Sequence, residues 1–156
     1  MIKINKKVEY ALIALKHMAL KAPSELTSAR EISDKYRTPF DTTAKIMQNL
    51  NRARILSSNQ GVKGGYTLSK SLKSINYIEL SEIVERKQFD FSCEGPKGLC
   101  EMFDCCNIKN PINALNFKLK EFFLKVSIHE LLLISEQQGQ CESSITLSQN
   151  NTEVGQ

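Results

Sequence analysis

Residues 28–68 read SAREISDKYRTPFDTTAKIMQNLNRARILSSNQGVKGGYTL, and this stretch decides the fold. Ser28 followed three residues later by Glu31 is typical of a helix N-terminus, because these side chains can bond the first unpaired N–H groups. Thr38 and Pro39 predict the start of a second helix, with Thr38 as N-cap and Pro39 at the first helical position. Two short helices joined by a tight turn predict a helix-turn-helix.

The two faces of the second helix differ in polarity. Its predicted inner face recurs at three- and four-residue steps and consists of Thr43, Ile46, Met47 and Leu50. Its predicted outer face consists of Asp41, Thr42, Ala44, Lys45, Gln48 and Arg52. A polar outer face is what a recognition helix presents to the major groove of DNA, so we expect Thr42, Lys45 and Gln48 to lie near base edges or phosphates.

A β-hairpin is predicted directly after this helix. The strand-like segments ILSS and YTL flank NQGVKGG, a turn-rich sequence with three glycines. Helix, helix, helix, hairpin is the order of a winged helix-turn-helix, with the hairpin as the wing. Phosphate contacts, which add affinity without sequence information, are expected from Arg52, Arg54, Lys63 and Lys70. Ser28, Asp41 and Gln60 complete the expected DNA contacts.

Further helices are predicted on both sides. Residues 6–21 form the first, and Asn76 caps another that runs to about Arg86. Pro111 begins a longer helix with an apolar stripe formed by Ile112, Leu115, Leu119, Phe122, Phe123 and Val126. Because this stripe is more apolar than a small domain needs, it favours a homodimer through this helix, and packing on its own domain is the alternative. Ser127 with Glu130 predicts a short closing helix.

The predicted fold is therefore mainly α with a small β-hairpin wing. Residues 1–75 form the winged helix-turn-helix DNA-binding region, 76–110 a connecting helix and cysteine loop, and 111–134 the dimerisation helix. Residues 135–156 form a polar tail that is expected to be disordered, since it is rich in Gln, Ser and Asn and poor in large apolar residues.

Charge and composition narrow the function. Residues 1–75 carry 14 Lys and Arg against 5 Asp and Glu, a formal charge of +9, and residues 76–156 carry 7 against 12, a charge of −5. This asymmetry favours a polyanion partner for the first half. We find no secretory peptide or membrane span, so a cytoplasmic protein is expected. Without a glycine-rich phosphate loop or a nucleophile–base pair, the sequence does not predict an enzyme.

Four of the five cysteines lie in residues 93–106, CEGPKGLCEMFDCC. Thiols stay reduced in the cytosol, so this cluster favours a metal centre or redox chemistry over a structural disulfide. Thiolates are the ligands of iron–sulfur clusters. Structural zinc, the rival metal, usually comes with a tight Cys knuckle that this loop does not supply. Small buried thiols are the simpler alternative, but four cysteines in one loop interrupted by Gly and Pro fit it poorly.

Three features together resemble the Rrf family of bacterial winged-helix regulators, of the IscR/NsrR type, over roughly residues 1–134. They are the start KVEYALIALKHMAL, the wing around Gly61, Gly64, Gly65 and Tyr66, and the helix that leads into a cysteine loop. The resemblance implies a homodimeric regulator that binds a double-stranded DNA operator. It also implies a [2Fe-2S] or [4Fe-4S] cluster that tunes operator affinity in response to a signal such as nitric oxide, iron or redox state.

The resemblance also implies the ligands of such a cluster. They would be Cys93, Cys100 and Cys106, with Cys105 as an alternative to Cys106. The fourth would be Glu9 of the partner subunit, from the sequence VEYAL. His17 is an outside candidate two helical turns further on, and His129 and Cys141 are expected to have structural or tail roles. Some members of the family have lost the cluster, so a cluster-free regulator that senses oxidants through its thiols is the alternative.

Two residues depart from the family's pattern. Gln60 stands where the family commonly has an arginine placed for the minor groove, which weakens the expectation of minor-groove readout. Arg54 stands where the family commonly has glycine, so a different turn at the end of the recognition helix is expected.

Overall fold

The computed structural model describes residues 4–61, 64–88 and 105–133. Within them the chain forms, in order, α1 (Lys6–Ala19), α2 (Ala29–Tyr36), α3 (Phe40–Arg52), β1 (Leu56–Asn59), β2 (Gly65–Leu68), a 3-10 turn (Leu72–Ser74), α4 (Tyr77–Glu85), α5 (Lys109–Lys125) and α6 (Ile128–Leu133). The mainly helical architecture with one β-hairpin is as predicted. Lying outside the described residues are Lys63, Cys93, Cys100, Cys141 and the tail 135–156.

Side-chain caps begin three helices where the sequence predicts them. Ser28, Asn76 and Ser127 each accept a hydrogen bond from the backbone N–H three residues further on, at 3.1, 2.8 and 3.1 Å respectively. Each bond satisfies a donor that the first turn of a helix leaves unpaired. These caps fix the starts of α2, α4 and α6.

The start of α3 differs from the prediction by one residue. Pro39 is the N-cap rather than the first helical residue, and its C=O accepts the N–H of Thr43 at 3.0 Å. The Thr38 hydroxyl does not cap the helix and instead shares a 2.8 Å hydrogen bond with the Thr43 hydroxyl on the buried face. This bond holds the turn between α2 and α3 against the inner face of α3.

Two other helix boundaries also shift. α1 ends at Ala19, before the predicted end near residue 21. α5 begins at Lys109, so Pro111 lies within its first turn rather than at its start. A proline is tolerated there because the N–H that it lacks would have no partner within the helix.

The core lies between α1, α3, α4, α6 and the hairpin. Its completely or almost completely buried side chains include Val8, Leu15, Met47, Leu50, Ile55, Ile75, Leu80 and Ile128. Ile128 belongs to α6, so the chain returns to this core after α5. Two backbone hydrogen bonds fix this return, from the Ile128 N–H to the Ile75 C=O at 2.8 Å and from the Tyr77 N–H to the Val126 C=O at 3.2 Å.

The hairpin pairs β1 with β2 in antiparallel register, with Leu56 opposite Leu68 and Asn59 opposite Gly65. Thr27 adds a short bridge along β2 that the sequence did not predict, exchanging two 2.9 Å backbone hydrogen bonds with Tyr66. Gly65 permits this approach, since a Cβ there would lie 3.0 Å from the Thr27 carbonyl oxygen. No helix in the described ranges is both long and apolar enough to span a membrane.

Candidate nucleic-acid interface and sensor residues

α3 buries one face and presents the other to solvent. Its inner face is the predicted one, with Thr43, Ile46, Met47 and Leu50 all buried. Lys45 and Gln48 are exposed and Thr42 is half-buried. These three side chains recur every three residues, so they form a ridge along the helix. We call Thr42, Lys45 and Gln48 the α3 ridge, and its geometry suits a helix that lies in a groove.

A cation–aromatic contact precedes the α3 ridge. The Arg30 guanidinium lies 5.2 Å from the centre of the Phe40 ring, and Phe40 is 46% exposed at the first residue of α3. The contact joins α2 to the start of α3. It holds a cation at the N-terminal end of α3, where Asp41 is also exposed. The periodicity of the sequence could not reveal it, because both residues lie on outer faces.

The turn after α3 keeps the conformation that glycine favours. Arg54 has φ 59°, in the left-handed region, and its N–H donates to the Asn51 C=O at 2.9 Å. The Ser69 hydroxyl donates to the Arg54 C=O at 2.8 Å, which ties this turn to the end of β2. These hydrogen bonds hold an arginine in the left-handed conformation, and a turn different from the family's stays a prediction.

The remaining predicted DNA contacts lie around α3. Arg52 and Arg54 are exposed at its C-terminal end, and Gln60 is exposed at the end of β1. Lys70 forms a 2.9 Å ion pair with Glu79, so its charge is partly compensated within the protein. Ser28 is half-buried and caps α2 through its hydroxyl oxygen. A DNA contact by any of these side chains stays a prediction.

A cleft of about 420 Å³ borders the α3 ridge on one side. The ridge residues form part of its lining, together with Lys7 of α1, Arg52 of α3 and Arg86, which follows α4. Sequence patterns do not single out Lys7 and Arg86, because these residues lie far apart in the chain and only the packing of α1 and α4 on α3 brings them together.

His17 is not available as a metal ligand. Its ring is buried, with Nδ1 3.0 Å from the Tyr36 hydroxyl and Nε2 2.8 Å from a Glu31 carboxylate oxygen. Glu31 also pairs with Lys21. Partial burial raises the pKa of Glu31, but hydrogen bonds from Lys21 and His17 outweigh it and hold that pKa below the ordinary value. We call these four residues the α1–α2 network, and its role is to join the two helices.

Glu9 lies one turn into α1 and is half-exposed. Its carboxylate accepts a 2.6 Å hydrogen bond from Lys6, and this bond and the negative charge of Glu9 raise the pKa of Lys6. Lys6 itself is largely exposed, so the pair is a weak surface interaction that another cation could replace. A role of Glu9 as a ligand to a group on a second subunit stays a prediction.

Cys105 and Cys106 lie in the turn that leads into α5. Cys105 is exposed and Cys106 is half-buried. Adjacent side chains in such a turn point in different directions, so one metal centre would use one of them rather than both. No group of three or more His, Cys, Asp or Glu side chains within the described residues is arranged to hold a metal ion. Two of the three predicted thiol ligands lie outside those residues.

The fold and the α3 ridge place the protein in the winged helix-turn-helix class. A helix pair, a recognition helix with a polar outer face and an adjacent hairpin are the parts of that class.

Comparison with known proteins gives a more particular assignment. The Rrf2 family, described as iron-dependent transcriptional regulators, matches residues 4–133. The chain belongs to this family, which consists of transcription regulators and not of enzymes. The HTH-type transcriptional regulator NsrR of Bacillus licheniformis is 25% identical over 115 residues, which cover 71% of this chain and 78% of that protein. IscR of Escherichia coli is 25% identical over 130 residues, 83% of this chain and 80% of that protein.

The fold is also that of solved regulators. The structure of CymR, described as the global cysteine regulator of Bacillus subtilis, superposes with a TM-score of 0.64 at 20% identity, covering 86% of this chain and 98% of that one. This likeness confirms the winged-helix fold and carries no information about the signal.

Proposed function

We propose that this Rrf2-family regulator acts as a homodimer that reads a DNA operator with the α3 ridge. The observation that carries this proposal is the division of α3 into a fully buried inner face and a polar ridge. A helix held in this way by the core can enter the major groove without rearrangement. The positive charge of residues 1–75 supports the same partner, since a polyanion attracts this half of the chain.

The apolar face of α5 supports the homodimer. Ile108, Leu115 and Phe122 recur every seven residues and are 55%, 52% and 60% exposed. A half-buried apolar residue follows each of them four positions later, at Ile112, Leu119 and Val126. Alternating steps of three and four residues are typical of a helix that packs along a second helix. We call these six residues the α5 seam, and a second copy of this chain would bury it.

For the signal, we propose an iron–sulfur cluster bound by Cys93, Cys100 and Cys106, with Cys105 as the alternative to Cys106 and Glu9 of the partner subunit as the fourth ligand. The chemistry of the donors supports this, because thiolates are the residues that hold such clusters. The family's description as iron-dependent supports it as well. When bound, the cluster supplies a redox-active and reactive centre whose state the surrounding residues transmit.

A second candidate is a cluster-free regulator whose thiols react directly with oxidants. The exposure of Cys105 favours it, since an accessible thiol is what this chemistry requires. The visible spectrum and the iron and sulfide content of anaerobically purified protein separate the two candidates. Bands near 400 nm or a red-brown spectrum, with stoichiometric iron, support the cluster. A colourless protein without iron, whose DNA affinity changes on oxidation, supports the thiol sensor.

DNA reading is tested on the α3 ridge. Lys45→Ala and Gln48→Ala are expected to weaken binding to operator DNA, selected from random duplexes by the wild-type protein, by about ten-fold or more. Binding to random-sequence DNA should change less. Lys118→Ala, an exposed cation on α5, is the control and should leave operator selectivity unchanged. Equal losses on both kinds of DNA would remove the α3 ridge from sequence reading.

A further inference from the structure

Three arginines occupy backbone positions that normally suit glycine. Among the described residues, Arg37, Arg54 and Arg86 are the only non-glycine residues with positive φ, at 54°, 59° and 56°. Arg37 follows α2, Arg54 lies in the turn after α3, and Arg86 follows α4. Glycine is the usual residue just past a helix because its left-handed conformation carries no Cβ strain. For Arg86, the surroundings of the side chain indicate a role beyond helix termination.

Arg86 lies beside α3 rather than beside the hairpin. It lines the cleft of about 420 Å³ next to the α3 ridge. It also lines a second, shallower cleft of about 350 Å³, and both clefts are bordered by Asn49 and Arg52. The end of α4 thus places a guanidinium on the same flank of α3 as the side chain of Arg52.

Carboxylates of the described residues do not balance the charge of this cleft. Its lining contains four cations, Lys7, Lys45, Arg52 and Arg86, and one carboxylate, Glu85. The ion pairs within the described residues are formed by other side chains, and none of the four cations has a carboxylate of that part of the chain within 4.0 Å. Glu85 instead accepts a long 3.5 Å hydrogen bond from Ser81. The cleft therefore keeps a net positive charge that is open to a ligand.

We propose that Lys7, Arg52 and Arg86 form a phosphate-binding cleft that holds the DNA backbone strand bordering the major groove. This inference rests on the proposed reading of DNA by the α3 ridge. A helix in the major groove has a sugar–phosphate strand on each side. Cations on one flank of the helix therefore lie close to the phosphates of the strand on that side. Through Arg86, α4 becomes part of the interface, which then extends beyond the helix-turn-helix and the wing.

The left-handed conformation of Arg86 gives a discriminating test. Arg86→Gly and Arg86→Asn both remove the charge and place residues that accept this conformation, so neither should lower the melting temperature. Each substitution removes one arginine from each chain. It is expected to weaken binding to a random-sequence duplex of about 30 base pairs by roughly five-fold near 0.15 M salt. The slope of log affinity against log salt should fall by about one for each phosphate that the variant no longer neutralises.

The controls separate charge from helix termination. Arg86→Lys keeps the charge and should retain most of the affinity and the salt slope. Lys73→Ala removes an exposed cation of the 3-10 turn, which does not line this cleft, and should bind as wild type. An Arg86→Gly protein with unchanged affinity and salt slope would overturn the proposal and show that Arg86 serves only as a helix terminus. That result would leave the proposed function intact if Lys45→Ala and Gln48→Ala still lost operator selectivity.

Discussion

Single residues decide how α1 and α2 are joined. The Glu31 carboxylate does not cap the N-terminus of α2, although the sequence pattern predicts a reciprocal capping box there. The carboxylate instead accepts a hydrogen bond from His17 and pairs with Lys21. The Ser28 half of the pattern is confirmed, because it depends only on the local backbone. The Glu31 carboxylate does not cap α2 because it binds His17 of α1 and Lys21, which follows α1.

The α1–α2 network predicts a pH dependence of stability. The pKa of Glu31 lies below its ordinary value of 4.5 in the folded protein. Its stabilising effect is therefore present above about pH 4.5 and is lost as the pH falls through the lower folded pKa. Glu31→Gln should lower the free energy of unfolding at pH 7 and flatten its decline between about pH 5 and 3. Urea unfolding across this range measures both effects.

The matched control for Glu31 is Glu25→Gln. Glu25 also pairs with Lys21, at 3.2 Å, but its side chain is 55% exposed. We expect its loss to change stability by less than about 0.5 kcal/mol, since exposed ion pairs contribute little. Equal pH profiles for the two variants would show that the network does not depend on Glu31.

Gly65 predicts a second effect at the scale of one residue. A Cβ at this position would lie 3.0 Å from the Thr27 carbonyl oxygen and 3.2 Å from Leu26 Cβ. Gly65→Ala should therefore push β2 away from residue 27 and destabilise the protein by about 1–3 kcal/mol. Ser57→Ala on exposed β1 is the control and should stay within about 0.5 kcal/mol. A stable Gly65→Ala protein would mean that the Thr27 bridge relaxes without cost.

At the scale of elements, α5 does not use its apolar stripe as one surface. Phe123 stacks on Tyr77 of α4, with ring centres 4.8 Å apart, and so packs within its own chain. Phe122 stands edge-on to Phe123 and is 60% exposed. Packing on the helix's own domain is therefore confirmed for Phe123, while a dimer through Phe122 and the rest of the α5 seam stays a proposal.

This division predicts opposite effects for two neighbouring residues. Phe123→Ala should destabilise the protomer by roughly 2 kcal/mol, because it removes part of a half-buried aromatic contact. Phe122→Glu should leave the protomer folded but break the proposed dimer, because it would bury a charge in the α5 seam. Sedimentation should then show a monomer, and unfolding should no longer depend on protein concentration.

Ala114→Glu is the control for Phe122→Glu, since it also adds an acid to an exposed position of α5 but is not three or four residues from any member of the α5 seam. It should remain dimeric. A dimeric Phe122→Glu protein would exclude the α5 seam as the interface.

Helices and their inner faces were predictable because periodicity is a local property. The buried face of α3 follows from the spacing of Thr43, Ile46, Met47 and Leu50 alone. The Thr27 bridge, the two partners of His17 and the position of Arg86 beside α3 were not predictable in this way. Each depends on contacts between residues far apart in sequence, and no periodicity marks such contacts.

At the scale of the whole molecule, the two ends of α5 have different surroundings. α6 buries Ile128 completely, and two backbone hydrogen bonds fix the C-terminal end of α5 to the start of α4. The N-terminal end of α5 instead follows the turn that contains Cys105 and Cys106. A change in the cysteine loop would therefore act on one end of a helix whose other end is fixed to the DNA-reading half.

A bond to Glu9 would add a second connection between the cysteine loop and the DNA-reading half. Under the proposed function, Glu9 of one subunit binds the cluster held by the cysteine loop of its partner. α1 carries Glu9 and packs on α3, and its residues Val8 and Leu15 are fully buried in the common core. A bond at Glu9 would thus connect each DNA-reading half to the partner's sensor loop. Such a bond shifts operator affinity only if it is stronger in one of the two subunit arrangements.

Glu9→Ala is therefore expected to separate binding of iron from its effect on DNA. The variant should keep most of its iron, since three thiolates remain, but its affinities for operator DNA with and without iron should become nearly equal. Cys106→Ala should lose the iron itself, and Lys6→Ala, which removes only the surface partner of Glu9, should behave as wild type. Iron analysis and operator titrations of the loaded and iron-free forms measure both properties. A Glu9→Ala protein with the wild-type ratio of the two affinities would exclude Glu9 from the coupling.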